Sequence, residues 1–180
     1  MGARHGQSFW IGVCALGLLS SAALADPAQD TARAEEAFRA GDLTRTIPLF
    51  KKAASEGYAP AQARLGEILD IAEFDEEAVT WFRKAADQGN AAGEFGLGRM
   101  YATGEGIGKD PKKALYWIKL AAEKDYLLAV KLLAQAYRTG DLGLTANPQQ
   151  AQLWEAKART LEKAAAARET KKQTEQRQGK

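Results

Sequence analysis

The sequence predicts an all-α solenoid of about four antiparallel helix pairs. Ala and Trp recur at one helical spacing, as Ala78-x-x-Trp81, Ala114-x-x-Trp117 and Ala151-x-x-Trp154, at intervals of 36 and then 37 residues. Paired alanines, Ala53-Ala54, Ala85-Ala86 and Ala121-Ala122, fall at the ends of successive second helices. Apolar residues follow a period near 3.6 throughout, with no alternating strand pattern. Self-similarity at this interval marks stacked helical units, each unable to bury its apolar face alone.

The elements follow in order. Residues 1–25 read as a secretory signal peptide: Arg4 and His5 precede an apolar run of 11 residues, Phe9 to Leu19, and Ala23-Leu24-Ala25 supplies small residues at the cleavage site. Cleavage is expected after Ala25. The run is too short to span a bilayer comfortably, so no transmembrane span is expected after cleavage, and the location expected is periplasmic or secreted. The solenoid is expected over 26–158. Its first pair is predicted at 28–40 and 44–56, turning at Ala40-Gly41-Asp42. The second is predicted at 59–71 and 75–88, with a short link, and the third at 91–103 and 111–124. The fourth runs over 127–139 and from 148 onward, into a basic helical or partly disordered tail at 159–180.

Boundary residues support these spans. Gly57 and Gly89 occupy equivalent helix ends and suit positive φ. Asp125 stands at the third such end, where a differently built turn is expected. Asp110-Pro111 and Asn147-Pro148 place a capping side chain before a proline in the first turn. Ile107 and Leu144 are expected to anchor their loops on the core. Leu65-Gly66, Leu97-Gly98 and Leu133-Ala134 set a small residue beside a core leucine in successive first helices.

Composition narrows the chemistry. The chain carries 25 Lys+Arg against 23 Asp+Glu. Losing Arg4 with the leader leaves 24 against 23, a balance that argues against nucleic-acid binding. The sole cysteine, Cys14, and the sole histidine, His5, lie in the leader. The mature chain thus has no means of forming a disulfide, a Cys/His zinc site, a thiol nucleophile or an imidazole base. No cofactor and no metal is expected.

Two local patterns suggest chemistry without meeting its requirements. Gly104 to Lys109 is glycine-rich, but a phosphate loop needs glycine where Thr103 stands and Ser or Thr where Asp110 stands. Asp70, Glu73, Asp75, Glu76 and Glu77 cluster around one turn, where carboxylates favour the following helix through its dipole. No catalytic residue is assigned.

The residues Ala78, Trp81, Phe82, Lys84, Ala85, Ala86, Gly89, Leu97, Gly98, Tyr101, Gly104, Gly106, Ile107 and Asp110 resemble the Sel-one-like repeat, a relative of the tetratricopeptide repeat. The pattern continues through Ala114, Trp117, Lys119, Ala121 and Ala122. The resemblance is specific over about 78–158 and weaker over 28–77; it does not reach 159–180. It implies an α-solenoid with a concave binding face, and an exported bacterial adaptor for a protein or peptide partner. An exported branch of the family has cysteine pairs clamping each repeat and an attributed penicillin-binding or lactamase activity. This sequence lacks those cysteines, so that chemistry does not carry over.

By analogy with tetratricopeptide scaffolds, first helices line the concave face. Glu67, Arg99 and Gln135 share one repeat position there and are the leading candidates for protein binding, followed by Arg64 and Arg138, then Asp70, Glu94 and Lys131. The tryptophans, with Ala78, Ala114 and Ala151, are expected to pack repeats together. The expected function is a non-catalytic scaffold or adaptor in the bacterial envelope. The alternatives are an envelope-organising protein contacting peptidoglycan or polysaccharide, possible cell-wall contact through the basic tail included, and more remotely a carboxylate-based wall hydrolase.

Overall fold

The computed structural model describes residues 26–178; the expected leader and its cleavage site lie outside the described residues. Among the described residues eight helices follow one another: α1 (Pro27–Arg39), α2 (Leu43–Ser55), α3 (Ala59–Ile71), α4 (Asp75–Asp87), α5 (Ala91–Thr103), α6 (Pro111–Glu123), α7 (Leu127–Thr139) and α8 (Pro148–Gln178). Each odd helix packs on the even helix after it, and each pair packs on the next, giving an all-α solenoid of four pairs. Among the described residues there is no strand, and no helix is long and apolar enough to cross a membrane.

Local chemistry sets the helix ends. Asp42, Asn90 and Asp110 cap α2, α5 and α6, each accepting a backbone N–H of the first turn. The Asp110 carboxyl is held below the usual carboxylate range, chiefly by the Lys113 amide. Gly57 and Gly89 take φ of 89° and 75°. Asp125 takes the same left-handed conformation at 60°, so the third turn is built like the others and not differently. Aspartate tolerates that region better than most residues, and its carboxylate meets Lys157 at 2.7 Å.

The even helices supply repeating columns to the core. Thr46, Ala78, Ala114 and Ala151 occupy one buried column. Phe50, Phe82 and Ile118 occupy another, all at most 1% exposed. Leu65, Leu97 and Leu133 face them from the odd helices. Trp81, Trp117 and Trp154 are half-buried against this core, with Lys84 over the Trp81 ring at 4.2 Å and Tyr116 edge-on to Trp117 at 5.1 Å. The phenylalanine column ends at Glu155, which pairs instead with Arg138 where the solenoid meets solvent.

Close approach depends on glycine. A Cβ on Gly96 would lie 2.4 Å from the Phe82 ring, and one on Gly66 would lie 2.7 Å from it. One aromatic ring is therefore seated between α3 and α5 on bare backbone. Gly106, at φ 63°, brings the 104–110 loop onto the start of α4, where a Cβ would meet the Asp75 backbone at 2.4 Å. Ile107 packs against the core as expected. In the fourth pair Leu142, at φ 58°, packs against the core, and Leu144 is half-buried.

A repeated polar position joins the two helices of each of the first three pairs. Asp30, Gln62 and Glu94 are equivalent and buried. They meet Lys52, Gln88 and Lys124 respectively, near the end of the even helix. Gln62 and Lys124 also donate to carbonyls at the end of the preceding unit, Ala54 at 3.0 Å and Gly89 at 2.8 Å. Val130 holds the equivalent position in α7 and makes the fourth pair apolar there. α8 remains helical to Gln178, and beyond Leu161 every described side chain is exposed.

Candidate protein-binding groove

The odd helices line one face of the solenoid, and between α3, α5 and the start of α7 that face opens into a groove of 240 Å³. Its floor is formed by Phe82 and Gly96, and its apolar walls by Ile71, Phe95, Tyr126 and Leu128. Ile71 is 78% exposed and Leu128 52% exposed. Apolar area of this size left in water is favourable to cover, at about 25 cal/mol per Å². Phe95 and Tyr126 hold each other at 5.3 Å between ring centroids. Burial pushes the Tyr126 phenol above its ordinary value, and the neighbouring Glu67 carboxylate adds to that shift.

Glu67, Asp70 and Arg99 form the polar wall. Arg99 donates to Asp70 at 3.1 Å, linking α5 to α3. Arg64 donates to Glu67 at 2.6 Å and to Glu35 of α1 at 2.9 Å. Inner-face charges thus form a ladder from unit to unit. Beyond the Asp70–Arg99 pair the groove continues into a more open recess of 620 Å³, bordered by Glu73, Asp75 and Glu105.

Two of the residues singled out at one repeat position, Glu67 and Arg99, come together in this groove. Gln135, the third, is exposed on α7 outside its lining. Arg64 stands beside the groove, bonded to two carboxylates. Arg138 and Lys131 lie in a separate shallow cleft with Glu155 and Glu162, their respective partners. Glu94 is not on the open face at all. It is 2% exposed, its Oε1 bonded to Lys124 and its Oε2 buried without a hydrogen-bond partner.

Ile71, Phe95, Tyr126 and Leu128 did not emerge from the repeat pattern as binding residues. A signal existed for three of them. The start of α7 reads Tyr126-Leu127-Leu128 where α5 has Asn90-Ala91-Ala92, and Ile71 extends past Leu69, the last buried residue of α3. Ile71 and Leu128 lie outside the repeat's packing positions and are left exposed, whereas Tyr126 pairs with Phe95. For Phe95 no such mark is visible.

The arrangement suits non-covalent recognition, offering apolar walls, a bridged ion pair and carboxylates at one end. Asp75, Glu76 and Glu77 lie in the first turn of α4, where their charge suits the helix dipole. No group of three or more His, Cys, Asp or Glu placed to hold a metal ion occurs among the described residues.

Known proteins place this geometry. The chain is 33% identical over 155 residues to chitin synthase regulatory factor 3 of Schizosaccharomyces pombe, covering 73% of this chain but 16% of that protein. It superposes on a Sel1 repeat protein from Oxalobacter formigenes with a TM-score of 0.68 and 32% identity, covering 75% of this chain and 58% of that one. It superposes on c5321, a protective antigen of uropathogenic Escherichia coli strains displaying an SLR fold, with a TM-score of 0.67 and 31% identity, covering 75% and 30%. The chain therefore spans a small part of its curated relative and less than two thirds of either solved chain. Residues 75–90, 91–126 and 125–159 match the Sel1 repeat. Folds of this kind are typically interaction scaffolds without chemistry of their own. With three repeats in tandem over 75–159, on a solenoid shared with solved Sel1 repeat proteins, the chain is a Sel1 repeat protein.

Proposed function

We propose that this protein is a non-catalytic scaffold of the bacterial cell envelope, holding a protein or peptide on the inner face formed by its odd helices. The observation that carries the reading is the groove between α3, α5 and α7. Ile71 and Leu128 stand exposed at its mouth, while the equivalents of Ile71 in the next two units, Thr103 and Thr139, are polar. A solenoid of rigid helix pairs loses little conformational freedom when it binds, so a modest apolar contact translates efficiently into affinity. Glu67 and Arg99 contribute polar contacts in the same groove, with Arg64 at its edge. Gln135 and Arg138 extend the inner face toward the C-terminal end. The leader-like segment 1–25 supports an exported location.

Crosslinking in the bacterial envelope, with a photoreactive residue at position 71 or 128, tests this. A discrete protein adduct at both positions, absent with the label at Lys112 on the exposed start of α6, is the expected result. Adducts of equal yield at all three positions, or capture of wall polymer alone, would remove the groove from the function.

A further inference from the structure

The two ends of the groove differ in chemistry, and the difference specifies an occupant. At the α7 end stand Leu128, Tyr126 and Phe95. At the other, past Ile71, stand Glu73, Asp75 and Glu105. The remaining inner-face charges are compensated: Arg99 is bonded to Asp70, and Arg64 to Glu67 and Glu35. None of Glu73, Asp75 and Glu105 has a cationic partner among the described residues. Gly106 allows this arrangement. Its loop lies directly on the Asp75 backbone, bringing Glu105 beside the start of α4 in spite of their like charge.

Resting on the reading of this face as a protein-binding surface, we infer that the groove takes a protein segment in which a bulky apolar side chain is closely followed or preceded by lysine or arginine. The apolar group enters between Phe95, Tyr126, Leu128 and Ile71. The cation meets Glu73, Asp75 and Glu105. An acidic segment is repelled at one end, and a purely apolar one leaves the carboxylates unmatched; complementarity of this kind selects partners as much as it strengthens them. The protein's own basic tail fits half of the description. It exposes Lys163, Arg168, Lys171, Lys172 and Arg177, but its last bulky apolar residue, Leu161, is half-buried against the core. The tail of a second copy would therefore fill the acidic end and leave the apolar end open.

A selection from a random peptide display library on the full-length mature protein tests the inference. The expected outcome is enrichment of peptides pairing Phe, Leu, Ile or Trp with Lys or Arg. Each of Glu73→Gly and Glu105→Gln should then weaken a selected peptide by about two- to fivefold, as loss of an exposed ion pair does, with the effect diminishing in high salt. Glu73→Gly is a safe probe because position 73 has φ 61°, which glycine adopts without strain. Leu128→Ser should weaken the same peptide more than either. Selected peptides lost with Leu128→Ser but showing no basic preference would overturn the inference and leave the scaffold reading standing. Basic peptides insensitive to Glu73→Gly and Glu105→Gln would overturn it by placing the cation elsewhere. No selected peptide at all would defeat both readings. Self-association abolished by ending the chain at residue 162 would reassign the groove to a second copy's tail.

Discussion

Arg99 and Asp70 meet across the seam between α5 and α3, guanidinium to carboxylate at 3.1 Å, at the point where the apolar groove gives way to its acidic end. The Asp70 side chain is 12% exposed and the Arg99 side chain 42%. Removing the cation strands a mostly buried carboxylate, whereas removing the carboxylate frees a cation that water solvates. Arg99→Ala should therefore destabilise the chain by about 1 kcal/mol, more than Asp70→Asn does. Urea unfolding of both variants checks the order; equal losses would mean that the pair is not holding the seam.

Phe82 fixes the spacing of α3 and α5. Gly96→Ala gains helix propensity of up to about 1 kcal/mol, but it drives a methyl into a ring with no room to move, at a cost of about 1–3 kcal/mol. Net destabilisation is expected, and Gly96→Ala with Phe82→Leu should lose less than the two single changes summed. Thermal unfolding of the four proteins of that cycle reads the coupling. Additive losses would place the methyl somewhere other than against the ring.

Glu94 depends on Lys124. Lys124→Met leaves a buried carboxylate facing no cation and also removes the donor to the Gly89 carbonyl, which should cost about 3 kcal/mol. Adding Glu94→Val should recover most of that loss, because valine already serves at the equivalent Val130. If the double variant stays as unstable as the single one, the ion pair contributes stability of its own.

Tyr126 links the groove to alkaline pH. Burial first, and then the Glu67 carboxylate, raise its phenol above the ordinary value of 10.0. The unfolded chain loses that proton first. The contribution is therefore complete below pH of about 10 and is lost as pH rises through the higher folded value. Tyr126→Phe should show a shallower alkaline decline in stability, followed by chemical denaturation across that window. Identical slopes would show that the phenol ionises alike in both states.

Much of the architecture is legible in the sequence. All eight helices begin and end within about one residue of the expected positions, apart from the open-ended last one, because periodic apolar residues, glycines and N-caps act locally. The Asp125 turn was less legible. Its left-handed backbone follows the stacking of the pairs, and an aspartate there gives no sign of it. Glu94 misled for a related reason: a glutamate on a first helix reads as surface, yet the end of α6 supplies Lys124 and makes its burial tolerable.

The sequence by itself determined the repeat, the pairing of helices and the alanine and leucine positions that pack them, since these follow from spacing along one chain. It also placed Glu67 and Arg99 at one repeated position. Only the tertiary structure decided which polar residues face solvent and which are spent on one another, and where apolar side chains from three different helices converge. Ile71, Phe95 and Leu128 come from α3, α5 and α7, and nothing in their local sequence encodes the distance between them. That distance is set by how closely the helices approach, and the approach rests on contacts remote in sequence, above all the Phe82 ring seated on Gly66 and Gly96.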